Sequence, residues 1–321
     1  MKLEIITNME LDGITPYNFE KTIRKYTLYG IEWYLFTPFE VYSNRTLWTA
    51  IRINNMSVGL RLNSIGNIEN PKISVSVFSK DKLSNDEENE IMNVLTWVLG
   101  LKIDITDFYI LADTYKPLKQ AKEDLYGMRI TTSPNLFDLT LLALTLQRSS
   151  YGRTERMIRL ICENYGELLE FDEKKIIIFP TAERISKVNE NELRVRCKVG
   201  YRATNIIANA KLIASGKIPS LIQLREISAE DAKHALMQMK GIGEYSREII
   251  LFALHPCFPI DVWSANIFCK LFEIEIRDNP RKTMSILKEF AQKWFGKWQS
   301  YAYDYIINDL ERLSNKFRLD I

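Results

Sequence analysis

A change of hydrophobic period near residue 115 constrains the fold of this chain more than any other feature. Upstream, short runs rich in aromatic and β-branched residues recur at 33–36, 46–53, 58–62 and 73–78. Asn54-Asn55, the segment 63–67 and Asn70-Pro71 punctuate them as turns. The alternation over 45–53 predicts a half-buried strand. One amphipathic helix is expected over 85–99, capped by Ser84 or Asn85. Downstream, the apolar residues fall three and four apart. Helices are predicted at 136–146, 152–165, 203–214, 228–239, 244–254, 262–272, 282–295 and 300–313, with Gly166 as the terminator of the second. The expected class is α+β: a small antiparallel sheet domain over 1–115, then a mainly α-helical domain over 116–321.

Composition removes several function classes. With 321 residues, 46% of them hydrophobic, the chain can bury a sizeable core. No apolar run reaches the roughly 18 residues of a membrane helix, so no membrane partner is expected. The opening Met1-Lys2-Leu3-Glu4 lacks a secretory pattern. The expected location is intracellular and not secreted: cytoplasmic, or nuclear in a eukaryote. Cys162, Cys197, Cys257 and Cys269 are scattered without a CxxC. That argues against a disulfide framework, a zinc ribbon and a four-cysteine cluster, and predicts buried, inert thiols. His234 and His255 are the only histidines, too few for a histidine-rich zinc site, and His255 reads as a helix-end cap. No metal site is expected. The net charge of +2 announces no nucleic-acid partner. However, Arg194, Arg196, Lys198, Arg202, Lys211 and Lys217 follow one another with no acid between them, a candidate phosphate-facing stripe.

The most informative segment is 237–247, in which Lys240-Gly241-Ile242-Gly243 joins two helical patterns. Glycines there permit backbone angles closed to other residues. A helix opening at Glu244 leaves the N–H groups of Gly243, Glu244 and Tyr245 unpaired at the positive end of its dipole. Such an end holds a phosphate without any side chain, a contact indifferent to base sequence. Asp261 follows Gly243 by 18 residues and opens the helix at 262. It can act as an N-cap, and its carboxylate would face the same region as the hairpin.

The hairpin, its glycines and the aspartate after it resemble the helix-hairpin-helix-GPD superfamily of DNA glycosylases. The similarity is to the branch of 3-methyladenine DNA glycosylase II and the 8-oxoguanine glycosylases. Ser133-Pro134-Asn135-Leu136-Phe137-Asp138, through to Thr145-Leu146-Gln147-Arg148-Ser149-Ser150, resembles that family's helix and following turn. Gly200-Tyr201-Arg202-Ala203 resembles a further helix, and Trp298-Gln299-Ser300-Tyr301-Ala302 its C-terminal element. Tyr42-Ser43-Asn44-Arg45-Thr46 and Gly127-Met128-Arg129 resemble its N-terminal sheet domain more weakly.

The resemblance implies a monomer with two helical subdomains and a cleft between them for double-stranded DNA carrying a damaged base. The damaged nucleotide would be flipped into a pocket. Asp261 would be catalytic, stabilising an oxocarbenium-like sugar or positioning water. Gly241, Gly243, Glu244 and Tyr245 would contact DNA, and Gln147 and Arg148 would lie on the turn that fills the gap, with Arg148 the wedge. Bifunctional members carry a Schiff-base lysine where this chain has Tyr245, which implies hydrolysis to an abasic site without strand cleavage. Tyr245, Trp263, Trp298 and Tyr303 are candidates for the base pocket, since an aromatic face attracts a cationic alkylated base. Neither the alkyl-base nor the 8-oxoguanine pocket is fully reproduced: Ile249, Tyr303, Ile307 and Asn308 stand at the distinguishing positions. No cofactor is required, although the family's hairpin can hold a monovalent cation on backbone carbonyls. The implied function is base excision repair of an alkylated purine such as 3-methyladenine by a monofunctional DNA glycosylase, a hydrolase of N-glycosyl bonds. The alternatives are an 8-oxoguanine-type glycosylase and a catalytically silent DNA-binding module that recognises damage.

Overall fold

The computed structural model describes residues 2–26, 32–33, 35–53, 56–277 and 279–319. The chain begins with β1 (Glu4–Asp12), α1 (Phe19–Ile23), β2 (Lys25–Tyr26), β3 (Glu32–Trp33), β4 (Val41–Ser43), β5 (Thr46–Ile53), β6 (Met56–Ser64), β7 (Lys72–Ser79) and α2 (Asn85–Val98). It continues through α3 (Thr106–Asp113), α4 (Lys116–Asp124), α5 (Leu136–Leu146), α6 (Tyr151–Tyr165), β8 (Glu167–Phe171) and β9 (Lys174–Ile178). Then come α7 (Ala182–Ser186), α8 (Glu190–Arg196), α9 (Arg202–Ala214), α10 (Leu221–Glu226), α11 (Ala229–Ala235) and α12 (Glu244–Leu251). The chain ends with α13 (Val262–Leu271), α14 (Pro280–Trp294), α15 (Gln299–Asn308) and α16 (Leu310–Phe317). The α+β class expected from the sequence is the class observed.

β1, β7, β6, β5 and β4 form an antiparallel sheet in that order. Ser84 caps α2 through a capping box with Glu87, as its position predicts. Ile91, Val94, Leu95 and Val98 of α2 pack on Leu60, Leu62, Val75 and Val77 of the sheet. The turn expected at Asn54-Asn55 lies outside the described residues, as does Tyr34 in the run 33–36. Leu35 and Phe36 of that run form a bend instead of a strand, because their amides donate to the Glu40 carboxylate at 2.5 and 3.2 Å.

β5 is buried on both faces, not on one as its alternation suggests. The β8–β9 hairpin, which no sequence pattern announces, covers the second face. Leu169, Phe171, Ile176 and Ile178 pack there on Leu3, Ala50 and Phe78. Asp172 at the hairpin tip accepts from Trp48 Nε1 at 2.6 Å and from Arg61 at 3.0 Å. Gly166, expected as a left-handed terminator of α6, has φ −72°. It is glycine for space, since a Cβ would lie 2.4 Å from the Ile178 carbonyl oxygen and 2.5 Å from that of Cys162.

The helices build two cores. One joins α5 to α12 through Leu141, Leu144, Ile158, Ile206, Leu236 and Leu251. The other joins α3 and α4 to α13–α16 through Phe108, Leu118, Phe268, Leu287, Tyr305 and Leu313. The segment 300–313, expected as one helix, is two: Asp309 leaves helical geometry (φ −104°, ψ 9°) between α15 and α16. The four cysteines are buried and unpaired. Among the described residues no helix is long and apolar enough to cross a membrane.

Gly59 on β6 faces Phe171, and a Cβ there would sit 2.5 Å from the ring. Gly59→Ala is therefore expected to destabilise the protein by about 1–3 kcal/mol through overpacking. Chemical denaturation should show a lowered midpoint with unchanged slope; an unchanged midpoint would mean the β8–β9 hairpin is not tightly seated.

Candidate active site

The helical hairpin is fixed by polar side chains. Ser228 caps α11, accepting from Asp231 N at 3.1 Å. A 3₁₀ turn over Leu236–Gln238 follows, so the first helix ends earlier than predicted. Gly241 has φ +73°, a conformation that favours glycine, and a Cβ there would lie 2.3 Å from Asn205 Nδ2, so that side chain would have to move. Asn209, fully buried, donates to the Lys240 carbonyl and accepts from the Lys240 amide, both at 2.8 Å. Gln147 Nε2 donates to the Gly241 carbonyl at 2.7 Å and to Ser246 Oγ at 3.0 Å.

Gly243 is the N-cap of α12 and supplies no side-chain cap. A Cβ at Gly243 would meet nothing within 4 Å, so the start of α12 is open on that side. Glu244 turns to Lys288 at 2.5 Å, and this neighbouring ammonium lowers its pKa. Of the hairpin carbonyls, those of Lys240 and Gly241 are held by Asn209 and Gln147. Those of Met239 and Ile242 accept only long contacts of 3.4 Å, which leaves lone pairs suited to a monovalent cation. Among the described residues no group of three or more His, Cys, Asp or Glu could hold a metal ion.

The turn after α5 is held as firmly. Arg202 is buried and donates to the carbonyls of Leu144, at 3.0 Å, and Gln147. Gln147 thus ties the turn to the hairpin, while Arg148 stands exposed with φ +48°. The basic stripe does not survive as one surface. Arg202 is consumed in capping α5, and Arg194 and Arg196 pair along α8 with Glu190 and Glu192. The acids precede the stripe in sequence and return to it one helical turn away. His255 Nε2 lies 2.8 Å from the Leu224 carbonyl oxygen in the last turn of α10, so its ring serves the end of another helix and not that of the helix it follows.

Between the two helical cores lies a cavity of about 450 Å³, within the usual range of about 300–1,000 Å³ for small-molecule sites. Asp261, Tyr245, Trp263 and Tyr303 all line it, brought together from α12, α13 and α15. Asp261 is the N-cap of α13. Its Oδ1 accepts from Ser264 N at 2.8 Å and Ser264 Oγ at 2.6 Å, and its own amide donates to Ser264 Oγ at 2.9 Å. Among the described residues no donor holds Oδ2. The cap fixes the side chain and leaves one oxygen for the cavity.

Trp298 is not part of this site. It ends the 3₁₀ turn before α15, and its ring packs on Phe108 at 5.9 Å and Tyr301 at 5.4 Å, on the side of α3. Its aromatic character marked a core contact. Conversely, the sequence reading missed Tyr151, Lys25, Asp304 and Asp138, which line the cavity. Tyr151 had a usable signal, since it is the first residue of α6 directly after the Gln147–Ser150 turn. Lys25 had none, being 236 residues before Asp261 on a two-residue strand.

The cavity is electrostatically uneven. Burial raises the Tyr245 phenol, and nearby Asp261 raises it further. Tyr303 is raised by burial, by Tyr245 and by Asp261. Tyr151 is pushed up to about 12 by burial and then by Asp304 and Asp261. All three therefore present neutral rings. Asp138 is pushed up to about 6 by burial, against hydrogen bonds from Ser133 and Asn135. Glu40, which holds the Leu35–Phe36 wall, is pushed up to about 7 by burial, against its bonds from Leu35, Phe36 and Thr49.

A carboxyl with a raised folded-state pKa binds its proton more tightly when folded. Its contribution to stability is greatest below the unfolded value of 4.5 and is lost as pH rises to about 7. Glu40→Gln should flatten the pH dependence of unfolding free energy over that window by on the order of 1–3 kcal/mol. Equal slopes for the variant and the parent across pH 4.5–7 would show that Glu40 does not carry the effect.

Residues 141–293 match the family described as HhH-GPD superfamily base excision DNA repair protein. The matched segment contains the hairpin, Gln147, Arg148, Asp261 and Trp263. A protein of Bacillus subtilis (strain 168) named DNA-3-methyladenine glycosylase is 26% identical over 227 residues, 68% of this chain and 72% of that protein. The solved 3-methyladenine DNA-glycosylase from Archaeoglobus fulgidus superposes with a TM-score of 0.75 at 24% identity, covering 94% of this chain and 98% of that one. The 8-oxoguanine glycosylase/lyase of Clostridium acetobutylicum, solved with double-stranded DNA containing cytosine opposite 8-oxoG, superposes at 0.69 with 16% identity, covering 99% and 100%. These two likenesses concern the fold.

Proposed function

We propose that this chain is a monofunctional DNA glycosylase of base excision repair that removes an alkylated purine from duplex DNA. The observation that carries the reading is Asp261: an N-cap with one oxygen locked to Ser264 and the other without a donor among the described residues, on a side chain that lines an aromatic cavity. The name of the Bacillus subtilis relative supports the substrate class.

The steps follow from the geometry. The N–H groups of Gly243, Glu244 and Tyr245 hold a backbone phosphate at the open end of α12. Arg148, projected from its pinned turn, fills the gap left by the flipped nucleotide. The base stacks among Tyr245, Trp263, Tyr303 and Tyr151. As the C1′–N bond breaks, its electron pair leaves with the base, and positive charge grows on the sugar. Asp261 faces that charge, and water adds at C1′ to give an abasic site. A base already cationic through alkylation needs no general acid.

Tyr245 is a buried neutral phenol and no Schiff-base nucleophile. Among the described residues Lys25 is the only lysine lining the cavity, and it is engaged by Asp304 at 2.6 Å. Strand cleavage by the protein is therefore outside the proposal.

Asp261→Asn keeps the cap and removes the charge. It should lower base release on the order of 10²–10³-fold, with duplex affinity changed only a few-fold. Base release from duplexes carrying 3-methyladenine, 7-methylguanine or 8-oxoguanine, with alkali applied separately, measures this. Release of 8-oxoguanine alone would overturn the alkylated-base choice, and borohydride trapping of a covalent adduct would overturn the monofunctional one.

Gly243→Pro retains φ near −77° but deletes one N–H at the anion site. Duplex affinity should fall by a similar factor on every sequence, read by titration at several salt concentrations. A sequence-selective loss would count against a phosphate contact at the hairpin.

A further inference from the structure

The rings of the cavity can stack on any purine, because every base has a π-face. Stacking alone does not choose among them. Lys25 and Asp304 add something the rings lack. Lys25 comes from β2, in the N-terminal part, and Asp304 from α15. Their Nζ and Oδ2 lie 2.6 Å apart, and the side chains are only 13% and 10% exposed. Both line the cavity alongside Tyr151, Tyr303 and Asn308. Asp304 is engaged at both oxygens, since Oδ1 accepts from Asn308 Nδ2 at 3.0 Å. Lys25 carries three donors, and among the described residues Asp304 is its one acceptor. The ammonium is thus fixed in direction with donors left over. Tyr151, Asp304 and Asp261 line the same cavity, and both carboxylates raise the Tyr151 phenol after burial does. Removing two charges from water is costly, and this pair lies against a cavity, where the unspent donors can meet a ligand.

We propose that the Lys25–Asp304 pair is the specificity element of the cavity: Lys25 Nζ donates to the 6-carbonyl oxygen of the flipped purine while Asp304 holds the ammonium in register. Purines with a 6-oxo group are then favoured over those with a 6-amino group, whose N–H would face the ammonium and leave its donors unpaired. The inference rests on the glycosylase reading and deepens its substrate class.

The test compares excision of 7-methylguanine, hypoxanthine and 3-methyladenine from otherwise identical duplexes. The proteins are the parent, Lys25→Met, and the double variant Lys25→Met/Asp304→Asn, in which no charge is left buried alone. Both variants should lose about tenfold or more in kcat/KM on the two 6-oxopurines relative to 3-methyladenine. Equal loss on all three bases, or an unchanged ratio, overturns the inference and leaves the pair a structural bridge. Binding of the free bases, read by quenching of tryptophan fluorescence, needs no turnover. The parent should hold 7-methylguanine more tightly than 3-methyladenine, and both variants should lose that preference. Equal binding of the two bases by the parent overturns the inference even where excision occurs. Selective binding without excision of any base overturns the glycosylase reading and supports the role of the pair.

Discussion

The site stands on a small set of amide and guanidinium groups that hydrogen-bond backbone atoms. Two tight turns approach each other at the cavity mouth, and turns leave backbone groups that neither helix nor sheet pairs. Asn209 takes both polar groups of Lys240, Gln147 takes the Gly241 carbonyl, and Arg202 takes the carbonyls of Leu144 and Gln147. Gln147 belongs to one turn and bonds the other, so the two are positioned as one unit. The unit is built on α5, α9 and α12, whose apolar faces share a core. Arg148 and Gly243, the parts that face outward, make no such bonds through their side chains. Rigidity lies beneath the surface that would meet a ligand, which keeps the ordering cost of binding low.

Asp261 applies the same logic at the scale of one side chain. An N-cap carboxylate usually spends its charge on its own helix. Here the capping box engages Oδ1 and leaves Oδ2 to the cavity. Local helix chemistry therefore pre-sets the rotamer of the group on which the proposed reaction depends, and no reorganisation is required as charge develops. Reading Asp261 as a cap and reading it as a reactive carboxylate are not competing accounts.

Much of this was legible in the sequence because it is local. The change of period, the Ser84 and Ser228 caps, the glycine turn and the aspartate opening α13 each declare themselves within a few residues. What was not legible is long-range. The β8–β9 hairpin is too short to announce itself, yet it converts β5 from a half-buried to a fully buried strand. Arg202 looks like one member of a basic stripe until α5 places two carbonyls in its reach. Trp298 and Trp263 are both aromatics near helix starts, and only the packing of α3 decides that the first is core and the second cavity. Lys25 and Asp304 are 279 residues apart, and neither segment carries a pattern that would pair them.

The cavity's chemistry follows from which charges it admits. Tyr151, Tyr245 and Tyr303 are each held neutral by burial and by nearby carboxylate, so they offer π-faces without becoming nucleophiles. Asp138 lines the cavity and is raised to about 6, and Glu40, behind the Leu35–Phe36 wall, is raised to about 7, so both keep their protons to a higher pH than ordinary carboxylates do. Asp261 and the Lys25–Asp304 pair line the cavity as well. The pair is internally balanced, whereas Asp261 keeps one oxygen without a donor among the described residues. A cavity so arranged stabilises positive charge on whatever lies against Asp261. In the proposed reaction that is the sugar, in the step where its bond to the base is breaking.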